Sequence, residues 1–255
     1  MKLTVLGGAA AGGNPGQGCS GYLVQTGRSS AVLDLGPGTL PQLRLHADAA
    51  ALDGIVISHM HIDHILDLLA LRYFLAYVPG RTERRVPLHL PPGGAAFLER
   101  FAVALAEDGD GLPWFDRFDI MEYDPNSPLM MGDLRMTFTP TILWVPCWAM
   151  RVTIGHSYLV YTADTGPSAN LADFARGASL IVTEGAADDH GETPFASRLH
   201  QTPEEAGNLA TDAGVETLVL THLWAEYGVD RAATRAATRF DGRILIARPG
   251  LSVDL

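Results

Sequence analysis

The densest cluster of reactive side chains lies at positions 59–64, where three of the nine histidines fall within six residues. The run reads His59-Met-His61-Ile-Asp63-His64 and follows an apolar stretch at 55–57 that predicts a buried strand. His59 and His61 are two residues apart at a strand end and therefore face the same side. Asp63 and His64 enter the first turn of the next helix, where exposed N–H groups and the helix dipole favour a carboxylate. Imidazole and carboxylate donors in this pattern predict a site for zinc, iron or manganese.

Three later strands end in a similar way. Apolar stretches followed by a threonine lead to Asp164, Glu184 and His222. Because sites in α/β folds gather where strands end, we predict that Asp164 and His222 reach the histidine cluster. A carboxylate such as Asp164 can bridge two metal ions about 3.5–4 Å apart. For Glu184, a place behind the ligands and a purely structural role at the strand end both stay open.

The elements that must position these residues follow a recognisable order. Strands open the chain, a β-rich meander fills its centre, and strands alternate with helices in its last third. This order predicts an α/β fold with two mixed sheets packed face to face and helices outside, a four-layer αββα sandwich forming one domain over 1–255. The predicted strands are 3–6, 22–25, 31–35, 55–57, 86–90, 118–123, 134–139, 149–154, 158–162, 180–182, 217–220 and 244–247, and the predicted helices are 65–77, 95–106, 169–176, 203–213 and 230–239.

Composition restricts the classes of protein to consider. At 255 residues, with 47% hydrophobic and 18% charged residues, the chain suits one large α/β domain and is neither disordered nor fibrous. Its two cysteines, Cys19 and Cys147, are too few for a disulfide scaffold. The net charge of −11 gives no general attraction to nucleic acid. The sequence contains no recognisable signal peptide and no apolar stretch of about 18 residues, so we expect a soluble, cytoplasmic protein with no membrane partner.

The HxHxDH motif, the Asp164 turn in Ala-Asp-Thr-Gly and the late Leu-Thr-His run together resemble the metallo-β-lactamase fold family. The opening segments Leu-Gly-Gly at 6–8, Gly-Tyr-Leu-Val at 21–24 and Leu-Asp-Leu-Gly-Pro-Gly at 33–38 are also similar. The resemblance covers nearly the whole chain and is greatest to the ribonuclease Z-like branch, which includes cyclic-phosphate and cyclic-nucleotide phosphodiesterases. It implies a metal-dependent hydrolase. The motif is specific for the fold and much less so for the substrate.

The resemblance also implies a set of ligands for one or two divalent metal ions, with zinc preferred and manganese or iron as alternatives. A water shared by the metals would be deprotonated near neutral pH and attack phosphorus or carbon. The implied ligands are His59 and His61 for the first metal, Asp63, His64 and His222 for the second, and Asp164 between them.

Two residues are implied to act in catalysis. Asp63 would orient the attacking water, and His200 would assist departure of the leaving group. His200 directly precedes a helix start, in which Thr202 caps the helix and Glu205 completes a capping box. The alternative for His200 is a loop histidine in solvent, which is also what we expect for His190.

One departure from the family pattern concerns a further metal histidine. The family pattern is similar to His-x-x-Pro-Ser-aromatic-small-x-Arg, whereas the run at 143–151 has Leu143 in the histidine position. Leucine cannot ligate a metal, and His156 lies too far along the chain to replace it. We therefore expect Leu143 against the open face of a first metal site with three ligands, and a second site that binds its metal more tightly.

The preferred function is hydrolysis of a small phosphodiester. Transfer RNA is not expected as a substrate, because the net charge is −11 and the 79–92 region contains no long RNA-gripping arm. Arg81, Arg84 and Arg85 cluster there, and a solvated loop is the preferred interpretation over a phosphate clamp. The expected partner is a small-molecule substrate, and the resemblance is compatible with a homodimer.

Two other functions stay open. An apolar pocket would favour a carboxylic ester, lactone or thioester hydrolase on the same fold, whereas arginines clustered near the metals would favour the phosphodiester. The protein would instead be a binding protein or a catalytically impaired pseudoenzyme if replacement of the metal histidine by Leu143 abolishes turnover. Aromatic residues in predicted loops either pack in the core or line the pocket mouth, and they are Trp114, Phe115, Trp144, Trp148, Trp224 and Tyr227.

Overall fold

The computed structural model of the protein describes residues 1–78, 85–105 and 112–255. Within these ranges, fourteen strands form two seven-stranded sheets. The strands are β1 (Lys2–Gly7), β2 (Gly21–Gln25), β3 (Ser30–Leu35), β4 (Gly54–Val56), β5 (Val86–Leu90), β6 (Phe118–Glu122), β7 (Leu129–Met131), β8 (Leu134–Pro140), β9 (Trp148–Ile154), β10 (Ser157–Tyr161), β11 (Leu180–Glu184), β12 (Thr217–Thr221), β13 (Arg243–Ile246) and β14 (Ser252–Asp254). The α-helices are α1 (Thr39–His46), α2 (Ile62–Ile65), α3 (Asp67–Tyr77), α4 (Gly94–Leu105), α5 (Ala169–Ala175), α6 (Pro203–Ala213) and α7 (Val229–Ala236).

Both sheets change from antiparallel to parallel pairing at one strand. The first sheet has the order β14-β1-β2-β3-β4-β5-β6, and its pairing becomes parallel after β3. The second sheet has the order β13-β12-β11-β10-β9-β8-β7, and its parallel part runs from β10 to β13. The candidate ligands at 59–64, Asp164 and His222 follow the carboxyl ends of the parallel strands β4, β10 and β12.

Three hydrophobic clusters show how the layers pack. The central cluster lies between the two sheets and combines Tyr22 and Leu33 of the first sheet with Val152 of the second. A second cluster joins the outer face of the first sheet to the helices α1, α3 and α4. A third joins the outer face of the second sheet to α5, α6 and α7. The predicted four-layer αββα sandwich is therefore confirmed.

Several elements differ from the sequence prediction. The predicted helix 65–77 is divided into α2 and α3 at Leu66, and the helices predicted at 95–106 and 230–239 end at Leu105 and Ala236 in the described chain. The elements α1, β7 and β14 were not predicted, because each is short and lacks a clear periodicity of apolar residues. No helix among the described residues is long and apolar enough to cross a membrane.

Helix α6 begins as its sequence predicts. The Glu205 backbone N–H donates to Thr202 Oγ1 at 3.3 Å, and the Thr202 backbone N–H donates to Glu205 Oε2 at 2.9 Å. Pro203 occupies the first turn, where its missing N–H costs nothing. This capping box fixes the chain directly after His200.

Candidate metal centre

A buried carboxylate in β3 holds the histidine motif in place. Both the backbone N–H and the hydroxyl of Ser58 donate to Asp34, each at 2.7 Å. The same carboxylate accepts the Tyr161 hydroxyl at 2.7 Å and lies 2.7 Å from His64 Nδ1. Asp34 thereby connects the turn after β4 to β10 in the other sheet. This role of Asp34 was not predicted, although an aspartate within the apolar strand Ala-Val-Leu-Asp-Leu indicates a buried charge that needs partners.

The first group of potential ligands comprises His59, His61 and Asp164. His59 Nε2 lies 3.0 Å from His61 Nδ1 and 3.7 Å from Asp164 Oδ2. The Ser58 hydroxyl donates its hydrogen bond to Asp34 in β3. Its oxygen can therefore accept a hydrogen bond from the His59 Nδ1–H, at 2.9 Å. The His59 Nε2 lone pair is then directed at a carboxylate, an arrangement that a cation between them would stabilise.

The second group comprises Asp63, His64, Asp164 and His222, and all four are buried. His64 Nε2 lies 3.3 Å from Asp164 Oδ1 and 3.4 Å from Asp63 Oδ2. His222 Nε2 lies 3.1 Å from Asp63 Oδ2 and 3.5 Å from Asp164 Oδ2. Asp164 thus takes part in both groups, as the sequence predicts for a bridging carboxylate.

The electrostatics of the second group call for a positive charge. Burial alone would lower the pKa of His64, but the carboxylates of Asp164 and Asp34 outweigh it and raise that pKa well above its usual range. Burial likewise opposes ionisation of Asp164, yet His222 and His64 hold the pKa of its carboxyl well below its usual value. In the first group, by contrast, burial and the neighbouring His64 lower the pKa of His59. Two carboxylates with imidazoles between them form a donor set that fits divalent cations.

Unpartnered nitrogen atoms support the same fit. His64 Nε2 is buried and makes no hydrogen bond with the described residues, and His64 Nδ1 is already committed to Asp34. A metal ligand commonly donates its other ring N–H to a carboxylate, which fixes the tautomer and directs the free lone pair at the metal. The geometry of His64 has this form.

Backbone conformation at the site is unusual at three positions. Asp34, Ala163 and His222 adopt left-handed conformations with φ of 56°, 54° and 55°, respectively. Such a conformation is uncommon for residues other than glycine, and for many side chains it costs about 1–3 kcal/mol. All three residues belong to or adjoin the two ligand groups. The surrounding packing therefore keeps strained backbone where the ligands must converge.

Two glycines permit close approach of the segments that carry functional residues. A Cβ at Gly36 would lie 1.9 Å from the carbonyl oxygen of Asp63, and a Cβ at Gly166 would lie 1.8 Å from that of Arg198. A side chain at either position would push its neighbour away. The first glycine therefore lets α2 approach the end of β3, and the second lets the chain before His200 approach the Asp164 turn.

His200 and Glu184 form a dyad next to the second group. Glu184 is fully buried, accepts the Thr165 backbone N–H at 2.6 Å and lies 3.0 Å from His200 Nδ1. Burial opposes protonation, but the Glu184 carboxylate prevails and raises the pKa of His200 to about 9. The His200 ring stacks on His222 with centroids 5.9 Å apart. Glu184, left open by the sequence, thus lies directly behind His200, and His200 lies at the cavity rather than in a solvent loop.

A cavity of about 610 Å³ opens onto both groups. Asp63, His200 and His222 face it, together with apolar and aromatic residues including Trp144 and Trp224. Among the described residues that line it there is neither a lysine nor an arginine. Of the arginines considered as a phosphate clamp, Arg81 and Arg84 lie outside the described residues. Arg85 pairs with Asp119 at 3.7 Å and is not part of the lining.

Two expectations from the sequence were wrong. Leu143 does not line the cavity but packs against the core between the sheets, and the neighbouring Trp144 lies beside His61 with ring centroids 4.9 Å apart. His190 does not face solvent freely, because its side chain is 12% exposed and its Nε2 lies 2.7 Å from Glu205 Oε2. In both cases the direction of a loop side chain depends on tertiary contacts that a local pattern does not contain.

Comparisons with known proteins identify the family. Residues 30–223 match the family model described as "Beta-lactamase superfamily domain". Over 255 aligned residues the chain is 34% identical to the "Probable metallo-hydrolase YhfI" of Bacillus subtilis, with 98% of each chain covered. The chain belongs to the β-lactamase superfamily. The resemblance noted in the sequence is thereby confirmed, and the protein is a metal-dependent hydrolase that binds divalent metal.

Other relatives support the ribonuclease Z-like branch. The chain is 25% identical over 311 residues to a ribonuclease Z of Myxococcus xanthus, with 100% of this chain and 98% of that protein covered. The crystal structure of the metallo-beta-lactamase fold protein YhfI from Bacillus subtilis gives a TM-score of 0.86 at 30% identity, with coverage of 99% and 98%. The short form of human tRNase Z gives 0.74 at 18% identity, covering 100% and 99%, which supports the fold alone.

Proposed function

We propose that the protein hydrolyses a small phosphodiester by means of a metal-activated water. The observation that carries this proposal is the His200–Glu184 dyad, which stands beside the ligand groups and faces the same cavity. A phosphodiester with an alkoxide leaving group needs a proton donor at the leaving oxygen as well as a nucleophile. The proposed ligand groups and His200 line the same cavity, which supports this assignment.

We assign the first metal to His59, His61 and Asp164. The second metal is assigned to Asp63, His64, Asp164 and His222. When bound, divalent ions activate water at neutral pH and stabilise negative charge on the reacting group. Zinc is our proposal for the metal, because imidazole and carboxylate donors suit it, with manganese and iron as alternatives.

Asp63 is proposed to orient the attacking water. Its carboxylate faces the cavity, and Oδ2 lies 3.1 Å from His222 Nε2. Burial raises the pKa of Asp63, but hydrogen bonds from His222 and His64 outweigh that effect and keep the carboxyl ionised. An ionised carboxylate can only accept hydrogen bonds, so it accepts one from the water and fixes its direction.

His200 is proposed to donate a proton to the leaving oxygen. Its Nδ1 is held by Glu184, so Nε2 is the atom left for the substrate. With a pKa of about 9, the imidazolium is the main form at neutral pH and also supplies positive charge to a cavity without lysine or arginine among its described lining residues. A singly negative phosphodiester would be attracted to it.

A second candidate is hydrolysis of a carboxylic ester, lactone or thioester on the same site. The observation that favours it is the lining of the cavity, in which Met60, Trp144 and Trp224 supply mostly apolar surface. The pseudoenzyme alternative has less support. Apart from the histidine that Leu143 replaces, every ligand implied by the resemblance is present and lies close to the other ligands of its group. We further propose that the substrate is a small molecule and not transfer RNA. We also propose a cytoplasmic protein of one domain, which is compatible with a homodimer.

Elemental analysis of the purified protein combined with two substrates tests these proposals. We expect one to two zinc ions per chain and hydrolysis of bis-p-nitrophenyl phosphate at a rate well above that of p-nitrophenyl acetate. Faster hydrolysis of the acetate would favour the second candidate. Less than one tight metal per chain, with no turnover of either compound, would favour the pseudoenzyme.

A further inference from the structure

A second cavity of about 400 Å³, which we call the side groove, adjoins the cavity beside the ligand groups. Met60, His61, Phe97 and Trp144 border both chambers. A substrate with its reacting phosphorus next to His61 can therefore extend one of its two ester arms into the side groove. The chemistry of the side groove then selects that arm.

Trp144 forms an aromatic wall at the junction of the two chambers. Its side chain is 70% exposed, and its ring lies 4.9 Å from that of His61 between centroids. The loop that carries it is fixed to the Asp164 turn, because Thr141 Oγ1 donates to the Asp164 carbonyl at 2.8 Å and the Gly166 N–H donates to the Ile142 carbonyl at 2.8 Å. A large exposed ring on a loop that is anchored next to the ligand groups is suited to stacking on a planar group.

The remaining side groove is apolar apart from one cation. Pro91, Val145 and Pro146 contribute apolar surface, and Arg100 is the one arginine or lysine among its described lining residues. The guanidinium carbon of Arg100 lies 5.9 Å from the centroid of the Phe97 ring. No carboxylate of a described residue lies within 4.0 Å of the Arg100 guanidinium nitrogens. Its charge is thus available to an anionic group at the outer end of a bound arm.

We propose that the side groove binds an aromatic arm of the substrate, with the ring stacked on Trp144 and an anionic group at the far end of that arm paired with Arg100. This inference rests on the phosphodiester hydrolysis proposed above and narrows its substrate class. The substrate is a phosphodiester with an alkoxide leaving group and a second, retained arm that carries an aromatic ring and a further negative charge. Trp144 and Arg100 act as specificity-determining residues and take no part in bond breaking.

Binding to the zinc-loaded protein tests the inference without relying on turnover. The probes are methyl methylphosphonate, phenyl methylphosphonate and 4-carboxyphenyl methylphosphonate, with dissociation constants measured by calorimetry. We expect the phenyl compound to bind about 10-fold more tightly than the methyl compound in the wild type, a preference of the size expected for one stacked ring. Trp144→Ala should abolish this preference, and Trp144→Phe should restore most of it.

The charged probe tests Arg100 separately. The 4-carboxyphenyl compound should bind about threefold more tightly than the phenyl compound, as expected for an exposed ion pair, and the gain should vanish in Arg100→Gln and in high salt. Leu45→Ala and Arg135→Gln, at exposed positions outside both chambers, are the matched controls and should leave every ratio unchanged.

Equal binding of the methyl and phenyl probes, or a preference that persists in Trp144→Ala, would overturn the inference. The result is distinguishable from failure of the proposed function. Turnover of phosphodiesters without an aromatic preference would uphold the function and reject the side groove as a subsite. An aromatic preference lost in Trp144→Ala, without turnover of any phosphodiester, would reject the function and retain the subsite.

Discussion

In the second ligand group, four buried side chains surround one point, and a carboxylate behind His64 fixes the direction of its ring. In the first group, His59 and His61 share only Asp164, and His61 is open to the cavity beside the exposed Trp144. Both groups reach the cavity, the second through Asp63 and His222 and the first through His61, so they differ in ligand number and in the aromatic neighbour of His61 rather than in access to a substrate. From this difference we expect the second group to hold a cation more tightly than the first, and His61 to be the candidate ligand that lies next to an aromatic wall.

The largest expected effect comes from the residue that both groups share. Asp164→Asn should lower kcat/KM on the order of 10³-fold or more, because an amide cannot balance the charge of two cations. Elemental analysis should show that metal content falls at both sites. Loss of only one metal would contradict the bridging role and place Asp164 in a single group.

Removal of the proposed proton donor should lower activity without lowering metal content. His200→Ala should lower kcat by roughly 10²–10⁴-fold for substrates with alkoxide leaving groups. The loss should be much smaller for p-nitrophenolate, which leaves without a proton. Equal losses for good and poor leaving groups would instead assign His200 a positioning role.

The pH profile gives an independent check on the same dyad. Because we propose that His200 acts in its acid form, and Glu184 raises its pKa to about 9, activity should fall as the pH rises through that value. Glu184→Gln removes the charge that raises this pKa, so the fall should move to lower pH. An unchanged alkaline limb in the variant would show that another group controls it.

The carboxylate behind the second group allows a test of the comparison itself. Asp34→Asn should weaken metal binding at the second group by about 10–100-fold, a range found when partners of metal-bound histidines are removed. Binding at the first group should change less, because Asp34 reaches His59 only through Ser58. Tyr161→Phe, which deletes one donor to Asp34 but leaves its charge, is the control and should have the milder effect.

The smallest effect is expected at Leu143. Because this half-buried side chain packs against the core and does not line the cavity, Leu143→His should change metal content by less than about twofold and lower stability by about 1 kcal/mol, the lower end of the cost of burying a polar group. Metal analysis and thermal unfolding of the variant measure both quantities. A rise to two tightly bound metals per chain would show that the loop can move so that the side chain at position 143 joins the first ligand group.

Much of this centre was predictable from local sequence. A histidine run after an apolar strand, and an aspartate or histidine directly after other strands, are local signals, and the structure brings His59, His64, Asp164 and His222 together. Asp34 was not predicted because its role depends on contacts to a turn and to the opposite sheet. The sequence did not predict that Trp144 rather than Leu143 faces the cavity, because adjacent loop residues have no periodicity that distinguishes their directions.

The most direct test of the central claim is a stepwise metal titration of the metal-free protein. After one equivalent of zinc, crystals measured at the zinc absorption edge should show the ion at Asp63, His64, Asp164 and His222, and a second, weaker equivalent should follow at His59 and His61. Full occupancy at His59 and His61 with nothing beside His222 would contradict the account.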